Sequence, residues 1–381
     1  MSADVLAVLV AKTARTFCYG FLGIVLPLYL TALGMSAAGV GVTVTLTLAG
    51  SALLTWAVRR PAERLGPRAP LLALAGLSAV AALLLLGTSW APLVVLAAIL
   101  GNVAVGTGET GPFLTIEQVV LARAVPAARR TQVLSVYNFL GYGAGAVGAA
   151  AVGVAGGYRA LFVVFLAAAG VQLVAYARLG GSAAPPRAPG EARPSAPLIR
   201  RFAALFALDS FAGGFVLQSL VSYYLYLRYQ LDLETLGLVF GVAQILTALS
   251  ILLAPRAAAR FGLLETMVVS HLVSNVFLIA VAWAPTAGVA VALIWLRHLL
   301  SQMDVPTRQA YVMAVVADHE REAAASITNL ARTVAQAMTP ALTGWVMQTI
   351  ALGAPFVLGG GLKIVYDGLI WLTFRNVKLR D

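Results

Sequence analysis

Several charged side chains of this 381-residue chain stand inside long apolar runs, and chemistry is expected to reside there. They are Arg15, Glu109, Glu117, Asp209, Arg297, Asp304, Arg308, Arg332, Lys363 and Asp367. A charge at the centre of a membrane helix costs roughly 2.5–3.5 kcal/mol on insertion scales, so it must face a cavity or a partner. Arg297, Ser301, Asp304 and Arg308 recur at helical spacing and make one polar stripe. Arg332, Gln336, Thr339 and Thr343 make a second, with Pro340 as a kink. Asp304 with Arg308, and Lys363 with Asp367, are four apart and so spaced to neutralise each other along a helix. Glu109 lies on the face of Asn102, in the run Gly106-Thr107-Gly108-Glu109-Thr110-Gly111-Pro112, with no basic residue one turn away. A carboxylate desolvated in that way can exchange protons. The alternatives are a neutral Glu109 bonded to a neighbouring helix, or a partner for Arg297 or Arg332. The sequence shows no phosphate-binding loop, catalytic carboxylate pair or nucleophile triad, so neither enzyme chemistry nor a cofactor is expected. His271, His298 and His319 are scattered and Cys18 is alone, so no metal site is expected either.

The elements that carry these residues follow from composition. Hydrophobic residues make up 60% of the chain and charged ones 11%, and the mean hydropathy is +0.90. Soluble domains carry about 25% charged residues, so lipid must cover most of this chain. Apolar runs long enough to cross a bilayer as helices fall near 5–32, 36–57, 69–88, 92–122, 131–155 and 160–179, then 200–227, 234–254, 264–284, 286–316, 324–350 and 355–374. The first is too long for a cleavable signal. Between the sixth and seventh, Gly180 to Pro197 is rich in proline and charge and reads as a solvated linker. The expected fold is all-α, with twelve transmembrane helices in two six-helix bundles: residues 1–180, a linker 181–199, and 200–381. With both termini inside, eighteen Lys and Arg side chains fall in the inner segments against two, Arg159 and Arg228, in the outer ones. This asymmetry predicts a multi-pass inner-membrane protein with cytoplasmic termini. It also explains the net charge of +11 without a nucleic-acid partner.

The two halves repeat. Phe17-Cys18-Tyr19-Gly20-Phe21 matches Phe211-Ala212-Gly213-Gly214-Phe215 at an offset of 194, and Tyr29 then falls on Tyr223. Arg64-Leu65-Gly66 matches Arg260-Phe261-Gly262 at 196, and Gln118, Arg130 and Asn138 match Gln309, Arg321 and Asn329 at 191. Similar offsets in three regions predict duplication of a six-helix unit. They also set Arg15 opposite Asp209 and Glu117 opposite Arg308. Pairing of these charges across the bundles would close a gate; the alternative is that each pairs inside its own bundle.

The span pattern, the central linker and the basic loops after spans two and eight resemble the major facilitator superfamily over the whole chain. Glu63-Arg64-Leu65-Gly66-Pro67-Arg68 keeps the acid, base, glycine and last base of that family's loop signature, with Arg59 in place of its leading glycine. The second copy, Arg260-Phe261-Gly262, has lost the acid. The resemblance implies that Glu63 and Arg64 belong to the gate together with Arg15, Asp209, Glu117 and Arg308. It also implies that spans one, four, seven and ten line a cavity flanked by five and eleven. Asn102, Glu109, Arg297, Asp304, Arg332 and Gln336 are then the expected substrate contacts, and Glu109 and Asp209 the expected proton carriers. Drug–proton antiporters of the family carry an arginine where Asn102 stands and a proline where Ala146 stands, so their motifs are incomplete here. Gly141, Gly145, Ala149 and Gly153 recur every four residues, a stripe for close helix packing that is compatible with a flexing gate. The function implied is alternating-access transport of a small organic solute, with proton-coupled export expected. Solute, protons and the lipid bilayer are the partners, and the protein is expected to be a monomer. The rivals are import of an organic anion held by Arg297, Arg308 and Arg332, and a non-transporting lipid-handling or sensory membrane protein.

Overall fold

The computed structural model describes residues 3–103, 111–124, 127–180, 196–305, 307, 308, 311 and 321–375. Among them are fourteen α-helices and one 3-10 turn. The first half holds α1 (Ala3–Ala32), α2 (Ala37–Leu65), α3 (Arg68–Gly87), α4 (Ala91–Leu100), α5 (Pro112–Ala124), α6 (Ala127–Ala150) and α7 (Tyr158–Ala177). The second holds α8 (Ala196–Gly214), α9 (Gln218–Tyr229), α10 (Leu233–Phe261), α11 (Leu263–Val281), α12 (Ala287–Ser301), α13 (Arg321–Thr349) and α14 (Ala354–Phe374). Eight stretches are long and apolar enough to cross a membrane, and α4 and α12 are shorter apolar helices. These elements account for twelve spans, the fourth being α4 with α5 and the seventh α8 with α9. Large apolar side chains such as Leu53, Trp56, Val154, Leu238 and Leu372 lie exposed on the outside, as lipid-facing residues must.

Two helices show how closely the halves correspond. Both α2 and α10 run for 29 residues. Each is opened by a side chain that accepts from a backbone N–H three residues on, Ser36 from Gly39 and Asp232 from Thr235. Each is closed by a glycine in the left-handed region, Gly66 at φ 79° and Gly262 at φ 93°, where a side chain would strain the backbone. These pairs all keep the offset of 196. The Thr235 hydrogen bond also holds the exposed Asp232 carboxyl below its usual range. The Phe17–Phe21 and Phe211–Phe215 pairs share one edge-to-face geometry, with centroids 6.0 and 5.8 Å apart at 79° and 85°.

Packing repeats as well. A Cβ on Gly20 would overlap the Gly145 carbonyl of α6, and one on Gly148 would overlap the Phe17 carbonyl. In the second half a Cβ on Gly214 would crowd the Gln336 carbonyl of α13 at 2.9 Å. There Thr339 replaces Gly148, and its hydroxyl donates to the Phe211 carbonyl at 2.7 Å. The α6 stripe also reaches the other half, because Gly237 of α10 sits against the Ala149 carbonyl and Gly153 against Glu234. On the opposite flank Gly41 of α2 meets Pro340 and Gly344 of α13, and the Ala341 N–H donates to Thr45 Oγ1 at 2.9 Å. These close approaches use the start of α2 and α10 and the end of α6 and α13, which is the end of the molecule remote from the start of α1.

Candidate functional site

Three spans are interrupted, and each break opens on one central cavity of about 190 Å³. Span four stops after α4 at Gly101 and Asn102, and Asn102 takes φ 47°, a left-handed conformation that asparagine tolerates. Span seven stops at Gly214 and resumes at Gln218. Helix α12 stops at Ser301, ahead of Gln302 and Asp304. Interrupted helices inside a membrane are tolerated where they line a cavity, and here they bring polar groups to it. Asn102, Leu217, Gln218, Ser301, Gln302 and Asp304 are all in its wall.

The wall is lopsided. Among the described residues, the first half contributes Thr47, Leu48, Ser51, Asn102 and Val103, none of them charged. The second half contributes four basic side chains, Arg297, Arg308, Arg332 and Lys363, against two acidic ones, Asp209 and Asp304. Of the expected substrate contacts, Asn102, Arg297, Asp304, Arg332 and Gln336 come together here. Glu109 lies outside the described residues, as does the side chain of Glu63; Arg64 is exposed at the end of α2, far from the cavity in sequence. Arg332 donates from Nε to Ser210 Oγ at 3.0 Å. Among the described residues no carboxylate lies within ion-pairing distance of Arg297 or Arg332, and Arg297 Nε, Asn102 Oδ1, Gln218 Nε2 and Ser301 Oγ are buried without a hydrogen-bond partner.

The charges do not pair across the halves; the structure pairs them inside each half instead. Arg15 binds Glu117 through two contacts, Nη2 to Oε2 at 2.6 Å and Nη1 to Oε1 at 3.2 Å. Tyr137 and Tyr176 donate to the same carboxylate at 2.7 and 2.6 Å, and the guanidinium lies 4.3 Å from the Phe113 ring. The equivalent pair in the second half, with its charges exchanged, is Arg308 to Asp209 at 3.2 Å. The physical reason is reach. Each pair lies within one bundle, so neither charge must wait for the other half to dock before it is neutralised. Arg308 also binds Asp304 at 3.0 Å, the i,i+4 pair that the spacing suggests.

Lys363 and Asp367, by contrast, do not pair locally. Lys363 Nζ lies 2.6 Å from Asp209, and Asp367 lies 2.6 Å from His271 Nδ1 and 3.1 Å from Asn275 Nδ2. Spacing along α14 allowed the local pair, but partners on α8 and α11 take precedence. Scatter along the sequence gives His271 no role, and Lys12 stands outside the predicted set although it is buried on α1 with its ammonium 4.3 Å from the Tyr137 ring. Lys12 is a charge inside an apolar run, so the criterion that flagged Arg15 could have found it. Asp209, His271 and Asp304 bring potential metal ligands within 4.8 Å of one another. Lys363 and Arg308 already supply cations to that cluster, so its donor set does not suit a metal ion.

The comparisons with known proteins agree with this architecture. Residues 8–301 match the sequence profile described as the Major Facilitator Superfamily. An uncharacterized membrane protein of Saccharomyces cerevisiae is 21% identical, over all of this chain and 96% of its own length. A peptide transporter of the POT family, solved in an autoinhibited form, superposes with a TM-score of 0.78 at 11% identity, over 100% of this chain and 98% of that one. A variant of the nucleoside transporter NupG superposes with a TM-score of 0.76 at 12% identity, over 98% of this chain and 100% of that one.

Proposed function

The chain belongs to the Major Facilitator Superfamily and is a membrane solute transporter, and from that premise we propose that its cargo is a small organic anion. The observation that carries this reading is the pair of cavity arginines, Arg297 and Arg332, with no carboxylate within ion-pairing distance among the described residues, in a wall whose described basic side chains outnumber its acidic ones. Both side chains are half-buried; a guanidinium drawn out of water is costly unless an anion and hydrogen-bond acceptors meet it, and a bound anion would supply both. The neutral polar groups opposite, Thr47, Ser51 and Asn102, would hold the remainder of the solute by hydrogen bonds.

Transport would proceed by alternating access, with the cavity exposed to each side in turn. The charge asymmetry of the loops supports cytoplasmic termini. The contacts of α2 with α13 and of α6 with α10 would then be the ones that part when the cavity opens outward. Alternating access is reversible, so the gradients of solute and coupling ion set the net direction. Coupling to protons forms part of the proposal; Glu109 and Asp209 are the candidates that the sequence alone offers for it.

The reading is tested by flux into proteoliposomes loaded with a pH-sensitive dye. The panel is benzenesulfonate as anion, tetraethylammonium as cation and glucose as neutral solute. Uptake of the sulfonate, reduced in Arg297→Gln and Arg332→Gln, is the expected result. Uptake of the cation in preference to the sulfonate would overturn the assignment.

A further inference from the structure

We propose that His271 binds the coupling proton and that its protonation frees Arg308 from Asp209 toward the cavity, so that a proton and an anion bind together. This rests on the anion reading for the cargo, but the proton site stands on its own geometry. His271 is buried on α11 between two aspartates of other helices. Its Nδ1 lies 2.6 Å from Asp367 Oδ1, and Asn275 holds the second oxygen of that carboxylate at 3.1 Å. A carboxylate accepts only, so Nδ1 carries a hydrogen and Nε2 is the nitrogen whose state can change. Nε2 lies 3.4 Å from Lys363 Nζ and 3.6 Å from Asp209 Oδ1. Without a proton it accepts from Lys363; with one it faces Asp209. Both states therefore have a partner already in place.

The charges around it favour such a switch. From α8 comes Asp209; from α14 come Lys363, Asp367 and Tyr366, whose ring meets the imidazole edge-on at 5.8 Å. The cavity wall adds Arg297, His298, Asp304, Arg308 and Arg332, with His298 Nδ1 held 2.8 Å from the Ile294 carbonyl. Helix α10 has its ionisable residues, Glu234, Arg256 and Arg260, toward its ends. Among the described residues, Asp209, Asp304 and Asp367 have Arg308 and Lys363 as their directly ion-paired fixed cations, with Arg297 and Arg332 acting on Asp209 and Asp304 from farther off. An imidazolium at His271 makes this directly paired set neutral, and buried ionic groups cost least when balanced. It also gives Asp209 a third cationic partner. Lys363 has its ion pair on Asp209, whereas Arg308 keeps Asp304 at 3.0 Å if it leaves. Arg308 is thus the partner that can turn to the cavity and join Arg297 and Arg332. By linkage, a bound anion strengthens proton binding by the same factor.

The test uses benzenesulfonate and benzene-1,3-disulfonate, which stay ionised at every working pH, so that any pH dependence belongs to the protein. In proteoliposomes with the interior one pH unit more alkaline, the wild type should accumulate the monosulfonate about tenfold, the equilibrium ratio for one proton per anion. His271→Gln should exchange it across the membrane but accumulate none. A second readout uses wild-type folding, with nitrogen-15 histidine spectra assigned through His298→Gln and His319→Gln. An imidazolium signal from His271 should appear on acidification. Tenfold accumulation by His271→Gln, or no imidazolium from His271 at acidic pH, would overturn the proposal. If neither sulfonate crosses in the wild type while the imidazolium still forms, the anion reading falls and the proton site stands.

Discussion

In the first half, Arg15 and Glu117 lie outside the cavity wall, with the carboxylate met by two arginine nitrogens and two tyrosine hydroxyls. In the second half the repeat-related Asp209 and Arg308 carry the opposite charges and stand in the wall itself, where Lys363, His271 and Asp304 share them. Arg15 and Glu117 are 1% and 0% exposed and geometrically complete, which is the condition under which a buried ion pair holds helices in register. The second pair is divided among several partners, so a proton or a solute can redistribute it. One structural position is thus used twice, closed on itself in the first half and shared among several partners in the second.

The largest expected effect separates these roles. Glu117→Gln strands a buried arginine and should cost about 3–5 kcal/mol, read as a fall in the thermal unfolding midpoint. Asp209→Asn should cost less, because Arg308 keeps Asp304 and Lys363 keeps His271 Nε2 as an acceptor, while abolishing proton-driven accumulation. Equal destabilisation by the two would break the comparison. Next come Arg297→Gln and Arg332→Gln. A hydrogen bond to a charged group is worth about 1.5–3 kcal/mol, so each should weaken sulfonate binding about tenfold or more with little change in unfolding.

Smaller effects sharpen the packing side. Gly148→Ala sets a methyl against the Phe17 carbonyl and should cost about 1–3 kcal/mol through forced backbone shifts. The equivalent change in the second half, Thr339→Val, removes the short hydrogen bond to the Phe211 carbonyl and a long contact to that of Ala335 and should cost about 1 kcal/mol. Chemical unfolding of the two variants gives the order directly.

Much of the architecture was legible in the residues. Hydropathy alone places the spans, and the offsets of 191 to 196 anticipate the matched caps of α2 and α10 and the matched phenylalanine pairs. Helical periodicity puts Arg297 with Asp304 and Arg332 with Gln336 on single faces, and those faces meet at the cavity. Periodicity tells which face a residue occupies but not which helix lies opposite. The pairing of Lys363 with Asp209 across 154 positions, and the place of His271 between two aspartates, depend on three helices meeting, which no local spacing encodes. The helix breaks at Asn102, Leu217 and Gln302 were hidden for a related reason. A continuous apolar run crosses the membrane whether or not its backbone is interrupted.

The most direct measurement is a structure of the protein in a lipid nanodisc with benzene-1,3-disulfonate, determined by electron cryo-microscopy at acidic pH. Density in the central cavity with sulfonate oxygens against Arg297 and Arg332, and with Arg308 turned away from Asp209, is the expected result. Sulfonate bound elsewhere, or a cavity in which Arg297 and Arg332 touch no ligand while transport proceeds, would contradict the assignment of the second half as the working site.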